Sequence, residues 1–312
     1  MNEAGDRSEA NVDTVVVSYN TRACLERCLA HLADDDHRVL VVDSASTDGS
    51  VELVRERFPK VELVALTENR GFGSAANEGI RRLEGRYALL LNADAWPREG
   101  AIEGLVAVAE LDPSSGIVAP RLVNTDGSSQ RSVFGYPRGP LSLAFWAAAP
   151  GAVSMAFRGW RRLQSLASQR AGEPELIGGD DFPAGAALLL RMDAFVEAGG
   201  FDESFFMYSE ETDLCRRIRE RGWRILLCPD AVFVHVGAAS TGQAADQSFR
   251  EQLRSYLRFL AKHRGKRKAE RAHALLTRTY WLRSLALAGP ARSRSRYLKE
   301  WLSSGELETL LR

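Results

Sequence analysis

DTVVVSYNTRACLERCLAHLADDDHRVLVVD, residues 13–43, reads as strand, helix and strand, and that reading decides the fold. Residues 13–18 (DTVVVS) and 38–43 (RVLVVD) are apolar runs without alternation, so both faces of each strand are expected to be buried, as in a parallel sheet covered by helices. Between them Leu25, Leu29 and Leu32 recur at helical spacing over residues 21–32. The pattern continues outward. Residues 48–58 read as a second helix, with Asp48 or Ser46 to cap it and Pro59 after it. Residues 61–66 make a third strand, 74–83 a third helix and 86–91 (RYALLL) a fourth strand. This order predicts an α/β fold, a mostly parallel sheet flanked by helices with right-handed crossovers. Ligands of such a sheet bind at the carboxyl ends of its strands.

Beyond residue 113 the pattern is less regular. Strands are expected at 116–119, 184–191, 224–228 and 231–235, with a loop and helix over 202–223. Amphipathic helices follow at 247–263, 267–288 and 293–311. The expected division is a sheet domain over 1–243 and a C-terminal helical extension over 244–312.

The chain has 312 residues, 45% of them hydrophobic, enough for one large α/β core and an appendage. Its formal charge of zero argues against a nucleic-acid partner. That zero hides an asymmetry: residues 246–312 carry 16 Lys and Arg against 6 Asp and Glu, and the rest of the chain 25 against 35. Four cysteines without a C-x-x-C pair read as small buried hydrophobes in a reducing compartment. The first 13 residues are polar. The longest apolar stretch, 141–157, is interrupted by Ser142, Pro150, Gly151 and Ser154, short of the roughly 20 residues that span a bilayer. The expected location is cytoplasmic, at most peripheral to a membrane.

Several strands end in polar residues: Ser18-Tyr19-Asn20, Asp43, Asn69-Arg70 and Asn92-Ala93-Asp94. Any one of these suits a turn, but four at the same edge of one sheet outline a crevice. A strand-end carboxylate such as Asp94 is a hard oxygen ligand for Mg²⁺ or Mn²⁺ beside a diphosphate. Residues 201–214 (FDESFFMYSEETDL) place Glu210, Glu211 and Asp213 at a helix start. Acids suit that position, yet the Gly199, Gly200, Phe201, Phe205, Phe206 and Tyr208 before them exceed what a surface helix needs. A carboxylate there can take a proton from a hydroxyl. Glu210 and Asp213 share a helix face, and Glu211 is turned about 100° from Glu210, so the three are not equivalent. His235 ends a hydrophobic strand and is a candidate second metal ligand with Asp94.

VVVSYNT, VVDSASTDGS, ENRGFGSAANEGI, LLLNADA, GGFDESFFMYSEETDLCRRIRERGW and VFVHVGAAST, in this order over residues 12–241, resemble the family-2 GT-A inverting glycosyltransferases, nearest their rhamnosyltransferase-like branch. The resemblance implies a Rossmann-like GT-A fold, Mg²⁺ or Mn²⁺, and a nucleotide-diphosphate-sugar donor. It further implies a glycan or lipid-linked hydroxyl acceptor, as in cell-surface polysaccharide synthesis. It places Asp43 on the donor base, and Ser18, Asn20, Asn69, Gly71, Gly73 and Asn77 around the donor pocket. Asn92, Ala93 and Asp94 fall on the metal and nucleotide motif, His235 beside the diphosphate and Glu211 at the base position. Two residues depart from the usual pattern: Asn92 stands where an Asp is common, and Glu211 where the base is usually Asp. Asp43 suits a pyrimidine, so dTDP or UDP, and the branch leans to rhamnose.

Three rival readings share some of these features. Gly71-Phe72-Gly73-Ser74-Ala75-Ala76 fits the dinucleotide fingerprint of an NAD-dependent oxidoreductase, but follows the third strand rather than the first. A sugar nucleotidyltransferase would want a Gly-rich, basic loop after its first strand, where SYNTRA stands. A catalytically inactive nucleotide-sugar binder is compatible with Asn92 and Glu211.

For the tail two readings stay open: helices packed on the protein, or helices lying on anionic lipid. For the second, Leu253, Leu257 and Leu260 would face the lipid, with Arg250, Arg254, Arg258, Lys262 and Arg264 beside them. Tyr280, Trp281, Tyr297 and Trp301 would anchor, and residues 141–160 would form a flap.

Overall fold

The computed structural model describes residues 12–32, 37–135, 172–179, 181–237, 245–287 and 289–305. These fall into two compact units. One holds 12–135, 172–206 and 210–237; the other holds 207–209 with the described residues from 245 onward. The segment 141–160, expected as a flap, lies outside the described residues.

In the first unit β1 (Val12–Ser18), β2 (Val39–Asp43), β3 (Glu62–Ala65) and β4 (Tyr87–Asn92) lie parallel in the order β3-β2-β1-β4. They are joined by α1 (Arg22–Leu32), α2 (Ser50–Arg57) and α3 (Phe72–Ile80). The register sets Ser18 beside Asp43 and Val17 beside Asn92, so the polar strand ends do share one edge. Beyond β4 the sheet changes direction. β5 (Ala95–Pro97), α4 (Ala101–Leu111), β6 (Ser115–Val123), β7 (Val133–Gly135), β8 (Glu175–Leu176), β9 (Asp181–Pro183) and β10 (Ala187–Arg191) follow in the chain. β10 is antiparallel to both β4 and β6.

After α5 (Met192–Glu197) and α6 (Glu210–Glu220) comes β11 (Arg224–His235). The two strands expected at 224–228 and 231–235 are thus one, with a register shift against β6 between Cys228 and Val232. Pro229 and Asp230 sit in that irregularity, which absorbs a residue pair that would otherwise break a strand. β8 and β5 pair with opposite ends of β11, completing a nine-stranded sheet; β7 and β9 form a separate ribbon.

Both faces of the sheet are covered. Val12, Val16, Leu89, Leu91 and Phe233 pack with α1 and α4 on one side, and Val15, Leu90, Leu188 and Leu190 with α3, α5 and α6 on the other. A fully buried Leu such as Leu89 or Leu90 contributes about 1.5–3 kcal/mol, and the unalternating strands supply many of them. Gly79 lets α3 press onto the sheet, since a Cβ there would lie 2.6 Å from a Val15 methyl.

In the second unit α7 (Ala245–Arg264), α8 (Lys266–Ala286) and α9 (Gly289–Ser303) pack together. Leu253 and Leu257 have no exposure and Leu260 only 5%, so the face of α7 expected to meet lipid is buried. Tyr280 and Trp301 are buried as well, and of the four aromatic anchors only Trp281 is exposed. It lies on α8 beside the exposed Leu282 and Leu285. Met207 belongs here too, its carbonyl accepting from Ser255 Oγ at 2.7 Å. Ser209, just before α6, has a left-handed φ of 65°. Among the described residues no helix is long and apolar enough to cross a membrane. Cys28, Cys215 and Cys228 are buried and all four thiols are free.

Candidate functional site

At the shared strand edge the β1–α1 and β2–α2 turns interlock through Ser46, which the sequence reading assigned only as a possible cap. Asp43 is buried and accepts from Ser46 through both oxygens, from the backbone N at 2.8 Å and from Oγ at 2.7 Å. Ser46 Oγ in turn accepts from Asn20 N at 2.8 Å, and Asn20 Oδ1 accepts from Thr47 N at 2.8 Å. Asn20 takes a left-handed φ of 50°, which Asn tolerates better than most residues. Ser18 is buried beneath these turns. Each Asp43 oxygen keeps an unused lone pair, so the carboxylate can still accept from a ligand.

Asn69, Gly71, Gly73 and Asn77, expected around a donor pocket, do something more specific. They clamp the loop 201–206 that leads to α6. Asn69 Oδ1 accepts from Gly71 N at 2.9 Å, and Phe72 N donates to the Phe206 carbonyl at 3.0 Å. A Cβ on Gly71 would lie 2.1 Å from that carbonyl oxygen, and its φ is 94°, so no other residue fits. That approach by the protein's own backbone accounts for the glycine of the dinucleotide-like motif. Gly73 packs on Phe201. Asn77 spends its amide on Phe201, accepting from its N at 2.9 Å and donating to its carbonyl at 2.9 Å. Its remaining hydrogen goes to Glu203 at 3.0 Å, so both amide hydrogens are spent within the protein.

The three acids of α6 separate as their helical phase requires. Asp213 has no exposure and is ion-paired with Arg217 at 2.7 Å, so it is pinned. Glu210 is buried against Gly73, and its Oε2 has no hydrogen-bond partner among the described residues. Burial, reinforced by the neighbouring Glu211, pushes its pKa well up. Glu211 is half-buried on the other face, its carboxyl carbon 3.8 Å from where a Cβ of Gly185 would stand. Desolvation raises it to about 7, against backbone hydrogen bonds that lower it. Of the three, Glu211 alone combines partial access with a proton affinity matched to neutral pH.

Asn92 sits at the end of β4, held by its N donating to the Ala186 carbonyl at 2.9 Å, and its Oδ1 is buried without a partner among the described residues. Ala93 is buried, its N donating to Val17 O. Asp94 and His235 meet because β5 pairs antiparallel with the end of β11. His235 stands opposite Ala95, and Val236 N donates to Asp94 O. The result is His235 Nε2 3.4 Å from Asp94 Oδ1, with side-chain exposures of 17% and 11%. Behind the ring, His235 Nδ1 lies 2.7 Å from Oε1 of Gln130, a residue nothing in the sequence singled out.

No group of three His, Cys, Asp or Glu that could hold an ion is present among the described residues. Asp94 and His235 still offer an oxygen and a nitrogen to an ion that completes its shell with substrate phosphate and water, the habit of Mg²⁺, and the orphaned Asn92 Oδ1 belongs to the same motif. The arrangement therefore offers a charge-neutralising end and, on α6, a proton-accepting end.

Residues 13–143 match the glycosyl transferase family 2 model. The N-acetylglucosaminyl-diphospho-decaprenol L-rhamnosyltransferase of Mycobacterium tuberculosis is 31% identical over 272 residues, covering 80% of this chain and 84% of that protein. Rhamnosyltransferase WbbL of Escherichia coli is 36% identical over 84 residues, covering 27% and 32%. Among solved structures, the mannosyltransferase PcManGT of Pyrobaculum calidifontis, in complex with GDP-Man and Mn²⁺, superposes with a TM-score of 0.54 at 20% identity. That match covers 97% of this chain and 89% of that one and shows the shared fold.

Proposed function

The chain belongs to the family-2 glycosyltransferases, and from that premise we propose that it moves L-rhamnose from a dTDP or UDP donor to a hydroxyl of N-acetylglucosaminyl-diphospho-polyprenol. The observation that carries the reading is Glu211, a half-buried carboxylate with a pKa of about 7 on the helix facing the strand-end turn at Gly185. The donor and acceptor rest on the Mycobacterium tuberculosis relative's name. In this reading Asp43 takes the base, helped by the turn that Ser46 and Asn20 lock. Asp94 and His235 would hold Mg²⁺ or Mn²⁺, with Asn92 in the same motif, and the ion would supply Lewis-acid neutralisation of the departing diphosphate. Glu211 receives the acceptor hydroxyl proton as the oxygen attacks the anomeric carbon from the opposite face, giving inversion. The division into a sheet domain over 1–243 and a helical extension over 244–312 is part of the same proposal.

The test is transfer from dTDP-rhamnose to a short-chain polyprenyl-diphospho-N-acetylglucosamine, with Mn²⁺ or Mg²⁺. Donor binding with neither hydrolysis nor glycosylated product, across UDP and dTDP sugars, would favour the inactive-binder reading.

Peripheral membrane contact is proposed on a different surface from the one expected. Arg267, Arg271, Arg278, Trp281 and Leu285 recur at helical spacing along the exposed side of α8, basic at one end and apolar at the other. The protein should co-sediment with anionic vesicles at low salt, and Trp281→Glu with Leu285→Glu should release it. Transfer to a water-soluble acceptor analogue should be unchanged by the pair. Equal sedimentation of the variant would refute this surface.

A further inference from the structure

His235 faces two ways, and the second is the more informative. Its Nε2 looks at Asp94, while its Nδ1 looks at a hairpin whose hydrogen bonds have only one consistent polarity. The hairpin closes tightly: Asn124 N donates to Ser128 O at 2.8 Å, Gly127 N to Asn124 O at 2.9 Å, and Gln130 N to Leu122 O at 2.9 Å. Within it Asp126, an acceptor when ionised, takes the Ser128 hydroxyl hydrogen at 2.6 Å. Ser128 Oγ must then accept from Asn124 Nδ2, at 2.8 Å. The Asn124 orientation follows, so its Oδ1 accepts from Gln130 Nε2 at 3.0 Å. Gln130 Nε2 also donates to the His235 backbone carbonyl at 3.3 Å, and a carbonyl can only accept. Flipping either amide would set donor against donor or oxygen against oxygen. Gln130 Oε1 is left as the acceptor for His235 Nδ1–H at 2.7 Å.

We propose that the 124–130 hairpin is a tautomer lock for His235: Gln130 holds the ring proton on Nδ1, so that the Nε2 lone pair is presented beside Asp94 Oδ1. Two lone-pair atoms 3.4 Å apart repel unless something positive lies between them, so the lock preorganises a cation site. Gln130 is a positioning residue: it touches neither donor nor ion, and acts through the imidazole. The consequence for the cation rests on the Asp94–His235 reading above, whereas the tautomer itself does not.

The experiment separates the two. Long-range ¹H–¹⁵N correlation on the metal-free protein at pH 8, with the His235 signals assigned by their loss in His235→Gln, should show the Nδ1–H form in the wild type. Gln130→Met keeps the length and removes the acceptor. It should lose that tautomer and bind Mn²⁺, titrated in the presence of dTDP, about 10–100-fold more weakly. Gln130→Glu gives up the bonds to Asn124 Oδ1 and the His235 carbonyl but keeps an acceptor for Nδ1–H, so it should keep the tautomer, a rescue that mere packing would not give. A wild-type Nε2–H tautomer overturns the lock, as does a folded Gln130→Met with unchanged tautomer and Mn²⁺ affinity. If the tautomer behaves as expected while the wild type binds no Mn²⁺ with dTDP, the lock stands and the cation-site reading falls.

Discussion

Glu211→Gln should transfer sugar about 10²–10⁴-fold more slowly than the wild type while binding donor as before, the usual cost of losing a general base. The amide keeps the shape and the contact with Gly185 but cannot take a proton at neutral pH. The wild-type rate should rise with pH through about 7 and then level, because the competent form of Glu211 is deprotonated. Glu211→Asp, which shortens the side chain to the residue usual in the family, should keep measurable activity with the same kind of limb. Stability moves the other way. A carboxyl raised from 4.5 to about 7 by burial makes the folded state bind more protons than the unfolded chain across that window. Its stabilising contribution is full below 4.5 and is lost as pH rises through 7. Glu211→Gln removes that dependence and should melt no lower than the wild type at pH 8, so lost rate is not lost fold. Asp213→Asn is the counterpart. It breaks a pair buried on the acid side and should cost about 3–5 kcal/mol, towards the lower end because Arg217 is partly exposed. Normal transfer by Glu211→Gln, with a folded but inactive Asp213→Asn, would hand the base role to Asp213.

The parallel half of the sheet was legible because a strand buried on both faces announces itself: 13–18, 38–43 and 86–91 have no polar alternation, and each became a strand within a residue or two. The rest was less so for physical reasons. The composition of β10 fits a buried strand of either direction, and only its neighbours β4 and β6 decide that it runs antiparallel. α4 (AIEGLVAVAEL) carries apolar residues around much of its circumference and so lacks the stripe by which amphipathic helices are recognised. Pro229 and Asp230 looked like an interruption because a bulge is a property of pairing, not of one strand.

At the site, the strand-end acids and His235 were readable as local events. Contacts across more than a hundred residues were not. Gln130 lies in NTDGSSQ, which composition reads as a polar turn, and its bond to His235 spans 105 positions. The resemblance places Asn77 at a donor pocket, and its use by Phe201 appears only once loop 201–206 is in place. The tail leaves its two readings open for the same reason. Leu253 and Leu257 form an apolar face whose partner the sequence does not name, and the partner is the protein itself.

Asp94→Ala should abolish transfer and leave the sheet standing. Neutralising the diphosphate as it leaves is worth several kcal/mol of transition-state stabilisation, so the loss should be at least about 10³-fold. The side chain contributes little to the core: it stands at a strand end facing His235 across 3.4 Å, and the backbone bond from Val236 N to Asp94 O survives the change. Melting of the metal-free variant should therefore stay close to that of the wild type. The difference should appear on adding Mn²⁺ and dTDP. A ligand at 100 times its Kd stabilises by about 2.7 kcal/mol, and the wild type should show that rise where Asp94→Ala shows little of it. Asn92 sharpens the expectation. With an amide rather than a carboxylate at the other end of the N-x-D motif, Asp94 is the only carboxylate the motif has, so no neighbouring charge can take over its role. Undiminished wild-type activity in excess chelator, or an Asp94→Ala protein that transfers sugar normally, would refute the assignment.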